Sequence, residues 1–393
     1  MRSSFSILRR APAALALALA AVVAACGGGG GGGGEGDTGQ LAVRLTDGQS
    51  CSHKHVFVTV ERVRVHRSAD ADPAGAGWSE LALSPPRRVD LMTLRNGVFE
   101  DLGSLPLEAG RYSQIRLVLA PNGSAAPYAN ELTLADDRVV ALRTPSGAQS
   151  GLKLNAHVTI EAGTRADLVL DFDPCRSVVS AGNGGRYLLK PVVTAYAQAV
   201  NDIAGYTLPG AGVSAQQGGV ALKSTVADAS GRFVLWPVIA GSYDVVITAP
   251  GHVNAVLAGV AVDQGTTVVS GAATPLVPAS SPGVAVAAGN VSVAGASEIE
   301  AGVRAQQALA GGPTIEVAQT PVDAATGGWS FTLPLGAPGR ADWSEGVLAY
   351  GFAPADAAAG LYRLEAVAAG VATPRVADVN LNGGDVEVRF SFP

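Results

Sequence analysis

"HVFVTVERVRVH", residues 55–66, decides the fold class. Val56, Val58 and Val60 share one face of an extended chain, while Val63 and Val65 fall on the other parity. A single-residue bulge near Glu61-Arg62 returns all five valines to one core. The same period of two runs outward from here. Leu41, Val43 and Leu45 alternate with Ala42 and Arg44; Ile115, Leu117 and Leu119 alternate with Gln114, Arg116 and Val118. Leu152, Leu154, Ala156, Val158 and Ile160 form another such row, and Leu168, Leu170 and Phe172 another, with Asp167, Asp171 and Asp173 on the opposite parity. Strands that are apolar on one side need a second sheet to cover them, so the pattern predicts a β-sandwich. Asn96-Gly97 and Asn183-Gly184 are hairpin turn signals. Pro191, inside "RYLLKPVV", lacks an amide donor and marks an edge.

Composition agrees. The chain has 393 residues, 50 of them glycine, with 15% charged and 5% aromatic residues. That mix suits short strands joined by glycine turns, and the length suits two or three domains. The expected class is all-β, with tandem β-sandwich domains of Greek-key or transthyretin-like type. The net charge is -6. Removing Arg2, Arg9 and Arg10 with a leader leaves 24 basic against 33 acidic residues, a balance of -9. No basic run follows residue 10, so nucleic acid is not an expected partner.

The amino terminus sets the expected location. Three arginines in residues 2–10 precede the apolar run "APAALALALAAVVAA" at 11–25, which is shorter than the roughly 20 residues a membrane span needs. Val23-Ala24-Ala25-Cys26 resembles the bacterial lipobox. The resemblance implies cleavage after residue 25, a first mature residue Cys26 bearing acyl chains, and a lipid bilayer as partner. Glycines fill 27–34. As a flexible tether, 26–39 has a root-mean-square span of about 20 Å and a limit of about 50 Å. Gly27 rather than aspartate follows the cysteine, which favours the outer membrane. Cys51 and Cys175 remain; in an oxidising compartment an even pair suggests a disulfide, and two separate buried thiols are the alternative. Closing a loop of about 120 residues would contribute about 4–5 kcal/mol in the chain-entropy model.

"LAVRLTDG", "VFVTVERVRVHRS", "VDLMTLRNG", "LPLEAGRYSQIRLVL", "TPSGAQSGLKL", "LVLDFDPCRSVV" and "GRYLLKPVV" resemble, in order, the blocks of the bacterial domain of unknown function 4382. The resemblance covers about 155 residues and implies an exported setting; it supplies no catalytic residue. It sets a first domain at 40–198.

A repeat organises the remainder. "AGVSAQQ" at 211–217 returns as "AGVRAQQ" at 301–307. "DASGRF" from Asp228 answers "DAATGGWSF" from Asp323, and Gly241-Ser242-Tyr243 answers Gly360-Leu361-Tyr362. This places one unit at 201–275, a linker at 276–283, and a second copy at 284–393 with an insertion near 336–359. The first copy resembles the carboxypeptidase regulatory-like domain, a seven-stranded transthyretin-like sandwich, with His252 departing from the usual aromatic; the second is looser. Aspartate and glycine make the tight turn, and the aromatic begins an inward-facing strand.

The candidate chemistry is thin. His53-Lys54-His55 near Cys51 puts two imidazoles on one strand face but lacks a third ligand. Asp167, Asp171 and Asp173 read as a polar outer face, because no calcium-loop pattern surrounds them. Ser150-Gly-Leu-Lys153 matches S-x-x-K, but on a strand the two side chains point to opposite faces. No metal, cofactor or catalytic set is expected. Trp236 and Trp343 are the candidate ligand-binding positions for a glycan, each also readable as a packing residue. The expectation is a non-enzymatic, lipid-anchored envelope protein that holds a structural or partner-binding role, toward a glycan or an envelope protein. A carbohydrate-binding protein is the second reading and an enzyme with a hidden site the third.

Overall fold

A computed structural model describes residues 38–47, 53–144, 151–154, 156–182, 185–197 and 201–393. They build three lobes, each a sandwich around its own apolar core. The chain is all-β, as its alternation predicts.

One strand plan recurs in all three lobes. In the first, the common strands are β1 (Thr38–Asp47), β2 (His55–His66), β3 (Ser79–Asp90), β4 (Glu100–Glu108), β5 (Gln114–Leu119), β6 (Leu152–Leu154) and β7 (Arg165–Asp173). In the second they are β8 (Asn201–Tyr206), β9 (Gly212–Gln217), β10 (Val220–Val226), β11 (Arg232–Val238), β12 (Gly241–Thr248), β13 (Ala255–Val262) and β14 (Thr266–Val268). In the third they are β15 (Val284–Val293), β16 (Ala301–Ala308), β17 (Thr314–Pro321), β18 (Gly328–Pro334), β19 (Leu361–Ala368), β20 (Arg375–Asn380) and β21 (Val386–Phe392). One sheet of each lobe has its first strand in the middle, antiparallel to the fourth and parallel to the seventh. The facing sheet runs third, second, fifth, sixth, all antiparallel. The second strand carries a register shift in every lobe, at Val60/Arg62, Ala215/Gln216 and Ala305/Gln306. The bulge expected in "HVFVTVERVRVH" is therefore present: Val56, Val58, Val60, Val63 and Val65 are all fully buried.

A shared corner explains the common geometry. Ala-Gly-x-Tyr occurs at 109–112, 240–243 and 359–362. Each glycine has positive φ (143°, 158° and 67°), a region that glycine enters without penalty. Each tyrosine ring is buried, and its hydroxyl donates to the backbone carbonyl at or just past the end of the fourth strand: Tyr112 to Glu108 (3.1 Å), Tyr243 to Ile239 (2.8 Å) and Tyr362 to Pro334 (2.5 Å). In the third lobe the bond spans the insertion, so the added residues leave the corner intact.

Several local expectations change. β5 is buried on both faces, because Trp78 covers its outer side: the Arg64 and Arg116 guanidinium groups lie 4.5 and 5.7 Å from the Trp78 ring centre. The row 152–160 is two strands, β6 and Val158–Ile160, in different sheets. Asn96 and Gly97 both have positive φ, as a tight turn requires, but the turn joins strands of opposite sheets and is no hairpin. Asn183-Gly184 lies outside the described residues; the strands on either side, Val178–Ser180 and Tyr187–Leu189, pair antiparallel. Pro191 interrupts its stretch, and Val192–Tyr196 then adds to the edge of β7.

The segment 276–283 is packed rather than loose. Leu276 is fully buried, the Val253 amide donates to Ala279 O (2.9 Å), and the Ser281 amide donates to Gly251 O (2.9 Å). Within the insertion, Gly339–Asp342 pairs parallel with β13 and extends the second lobe's sheet. The lobes are thus tied through backbone as well as side chains. Replacing Tyr112, Tyr243 or Tyr362 by phenylalanine should each lower stability by about 1 kcal/mol, since a part-buried hydrogen bond is lost; urea unfolding of the three variants checks this.

Candidate functional site

The polar groups that leave the ordinary pattern collect where the three lobes meet. β7 delivers Asp171 and Asp173, and the chain then turns through a short helix, α1 (Pro174–Ser177). Proline at its start and Asp173 as cap make that turn: the Arg176 amide donates to Asp173 Oδ1 at 2.9 Å. Val192 N donates to Ser177 Oγ (2.8 Å), which fixes the next strand against the helix.

A cavity of about 410 Å³ opens beside it, lined by Arg176 and Val192 of the first lobe, Val220 and Ala221 of the second, and Arg304, Glu316, Gln319 and Glu365 of the third. A smaller one, about 40 Å³, is enclosed by Asp171, Asp173, Arg176, Thr194, Lys223 and Ser224. In the larger cavity Arg304 reaches Glu365 at 2.7 Å and Glu316 at 3.4 Å. Burial pushes the Glu316 carboxyl upward, against the pull of Arg304.

Each lobe boundary is closed by polar contacts, buried or part-buried between the second lobe and its neighbours and part-buried or exposed between the first and third. Between the first and second lobes, Lys223 Nζ lies 2.7 Å from Asp171 Oδ1. Asn96 Oδ1 accepts from Thr225 Oγ1 and from the Val234 amide, both at 3.1 Å. Phe99 sits between Arg44 (4.8 Å) and Trp236 (5.8 Å between ring centres). Between the second and third, the Gln216 amide closes a two-way clamp on the Glu316 backbone, donating to its carbonyl (2.6 Å) and accepting from its N–H (2.8 Å). Gln306, the same position in the other repeat, donates back to Gly219 O at 2.8 Å. Asn254 donates to Gln307 Oε1 (2.8 Å), and Val246, Val256, Leu309 and Ile315 pack together across the same boundary. Between the first and third, Asp323 accepts from Ser180 Oγ (2.8 Å) and Gly182 N (3.0 Å), and Lys190 pairs with Glu300 (2.7 Å). Burial draws the Asp323 carboxyl upward, but bonds from Thr326, Ser180 and Gly182 outweigh it and hold it at about 2.

The residues singled out in the sequence go to different places. Cys26 and Cys51 lie outside the described residues, so the lipidation site and the pairing of Cys51 with Cys175 do too; Cys175 sits on α1. Trp236 is half-buried in β11 against Phe99. Trp343, in the insertion, is half-buried on the second lobe's core, and its backbone amide donates to Ala258 O (2.9 Å). The imidazole row disperses: Lys54 bonds Asp137 (2.5 Å), His55 bonds Asp90 (2.6 Å), and His53 is partly buried, which lowers its proton affinity. Among the described residues no group of three His, Cys, Asp or Glu could hold a metal ion. Ser150 lies outside them, and Lys153 faces Asp70 at 3.6 Å. The aspartate row is a solvated face only at Asp167. Asp167 meets Arg44 (3.6 Å), Asp171 is covered by the second lobe, and Asp173 caps α1. Lys223 and the paired glutamines were missed; the glutamines had a signal, because "AQQ" repeats at the end of an otherwise apolar strand.

Residues 38–191 match the family model described as Domain of unknown function (DUF4382), and the first lobe is a domain of that family. No curated protein matches the chain. Among solved structures it is similar to a type II cohesin–X-dockerin complex from Acetivibrio cellulolyticus, at 25% identity over 21% of this chain and 58% of that one, TM-score 0.19. It is also similar to the Bacillus anthracis TIE protein, at 11% identity over 90% and 50% of the two chains, TM-score 0.18. A streptococcal ancillary pilin follows, at 8% identity over 90% and 99%, TM-score 0.18. Likenesses at these scores carry no argument about fold or function.

No helix among the described residues is long and apolar enough to cross a membrane. Two predictions follow from the junction. Burial raises Asp173 from 3.8 to about 6. A carboxyl raised in the folded state costs nothing below its unfolded value and its full penalty above its folded one. The wild type should therefore lose about 3 kcal/mol relative to Asp173→Asn as pH rises from about 4 to 7; chemical unfolding of both across that range measures it. Gln216→Ala leaves the buried Glu316 amide unpaired and should cost about 1–3 kcal/mol, with Gln306→Ala close to it, read from thermal unfolding.

Proposed function

We propose that the chain is a lipid-anchored bacterial envelope protein whose three welded sandwiches form a rigid, non-enzymatic body with a structural or partner-binding role. The observation that carries the reading is the use of polar groups at the lobe boundaries. Asp171, Lys223, Gln216, Gln306 and Asp323 are committed to one another, to Ser180 or to backbone across those boundaries. Groups so committed hold lobes in fixed register; a reaction would need some of them aimed at a substrate.

The anchor is Cys26, and the glycine run after it is the tether that lifts the body clear of the headgroups. The outer membrane is the proposed site. Cys51 and Cys175 are proposed to pair in the oxidising space beyond the inner membrane, which would fasten the segment before β2 to α1. The repeats at 201–275 and 284–393 are proposed relatives of the carboxypeptidase regulatory-like domain, a reading supported by their identical strand order. The glycan reading draws no support from the half-buried rings of Trp236 and Trp343.

Growth with labelled palmitate tests the anchor. Label should follow the wild-type chain into the membrane fraction, and Cys26→Ser should lose both label and sedimentation. An unlabelled wild type, or a serine variant that still sediments, contradicts it.

A further inference from the structure

Lys223 and Asp171 have more in common than an ion pair needs. Their side chains are 2% and 11% exposed, and Nζ stands 2.7 Å from Oδ1. Each is mounted on a strand of a different lobe, β10 and β7, so neither can swing out to water while the boundary holds. Asp173 and Arg176 line the same small cavity. A charged pair at this depth competes with its neutral form, in which the ammonium proton has moved to the carboxylate. That neutral pair is an amine hydrogen-bonded to a carboxylic acid, held side by side in a largely buried site.

We propose that Lys223 and Asp171 condense into an isopeptide bond that covalently joins the first lobe to the second. The Nζ lone pair attacks Cγ of the protonated Asp171 carboxyl, forming the N–C bond and a tetrahedral intermediate. The Asp173 carboxylate takes the proton released by nitrogen and passes it to the departing hydroxyl. The C–O bond breaks, one water leaves, and Asp173 returns to its starting state. Ammonium and carboxylate become amide and water, so the step balances with no oxidant, cofactor or activated donor. The cavity of about 40 Å³ has room for the water released. Burial also raises the proton affinity of both Asp171 and Asp173, which suits the one to be attacked as an acid and the other to carry a proton.

The test is peptide mapping by mass spectrometry of the full chain after denaturation, reduction and digestion. The peptides holding Lys223 and Asp171 should appear joined, lighter than their sum by one water. Lys223→Arg keeps the charge but cannot condense, so its two peptides should separate and its unfolding midpoint fall. Asp173→Asn keeps both the ion pair and an acceptor for the Arg176 amide. It should slow linkage about a hundredfold, the usual scale for losing a positioned proton carrier. Recovery of the wild-type Lys223 peptide unlinked, with an amine that reacts once the chain is denatured, overturns the proposal; undiminished linkage in Asp173→Asn overturns the part given to Asp173.

Discussion

A polar side chain taken out of water at a boundary must find its partner on the other side, and this constraint holds the molecule together. Each lobe could bury its own apolar residues alone, since each has a separate core. What fixes them in one arrangement is the set of groups that would be costly to leave unpaired: Lys223 against Asp171, Gln216 against the Glu316 backbone, and Asp323 against Ser180 and Gly182. The exchange between the two repeats is nearly reciprocal. The glutamine at the bulge of β9 reaches the third lobe, and its counterpart in β16 reaches back to the second. A residue repeated by sequence thus becomes a contact repeated by symmetry.

Much of the fold was legible because it rests on a period of two. The valines of β2 required a bulge, and the bulge is there. The insertion near 336–359 was visible as a gap between matched motifs. Burial on the outer faces of strands was not legible. β5 and β7 read as half-solvated, yet Trp78 covers one and the second lobe covers the other. Periodicity reports which face of a strand meets its own sheet's partner; it is silent on a loop or lobe that folds over the remaining face. For the same reason Asp171 passed as a surface aspartate, and Lys223, one charged residue in "VALKSTV", carried no signal at all.

The kinship of the first lobe with the other two was within reach of the sequence. Ala-Gly-x-Tyr stands at 109–112, 240–243 and 359–362, and in each lobe it makes the same corner between the fourth and fifth common strands. The motif is short, and the first lobe's additional strands separate it from its neighbours, so alignment of the three depends on seeing the strand order. That order, including the parallel pairing of first and seventh strands, is the same in all three.

The central claim is that three separate cores behave as one body because their boundaries are locked. Differential scanning calorimetry of the full chain tests it most directly. A locked body should melt in one transition, with the calorimetric enthalpy equal to the van't Hoff enthalpy. Two or three resolved transitions, each the size of a single lobe, would show beads that only touch.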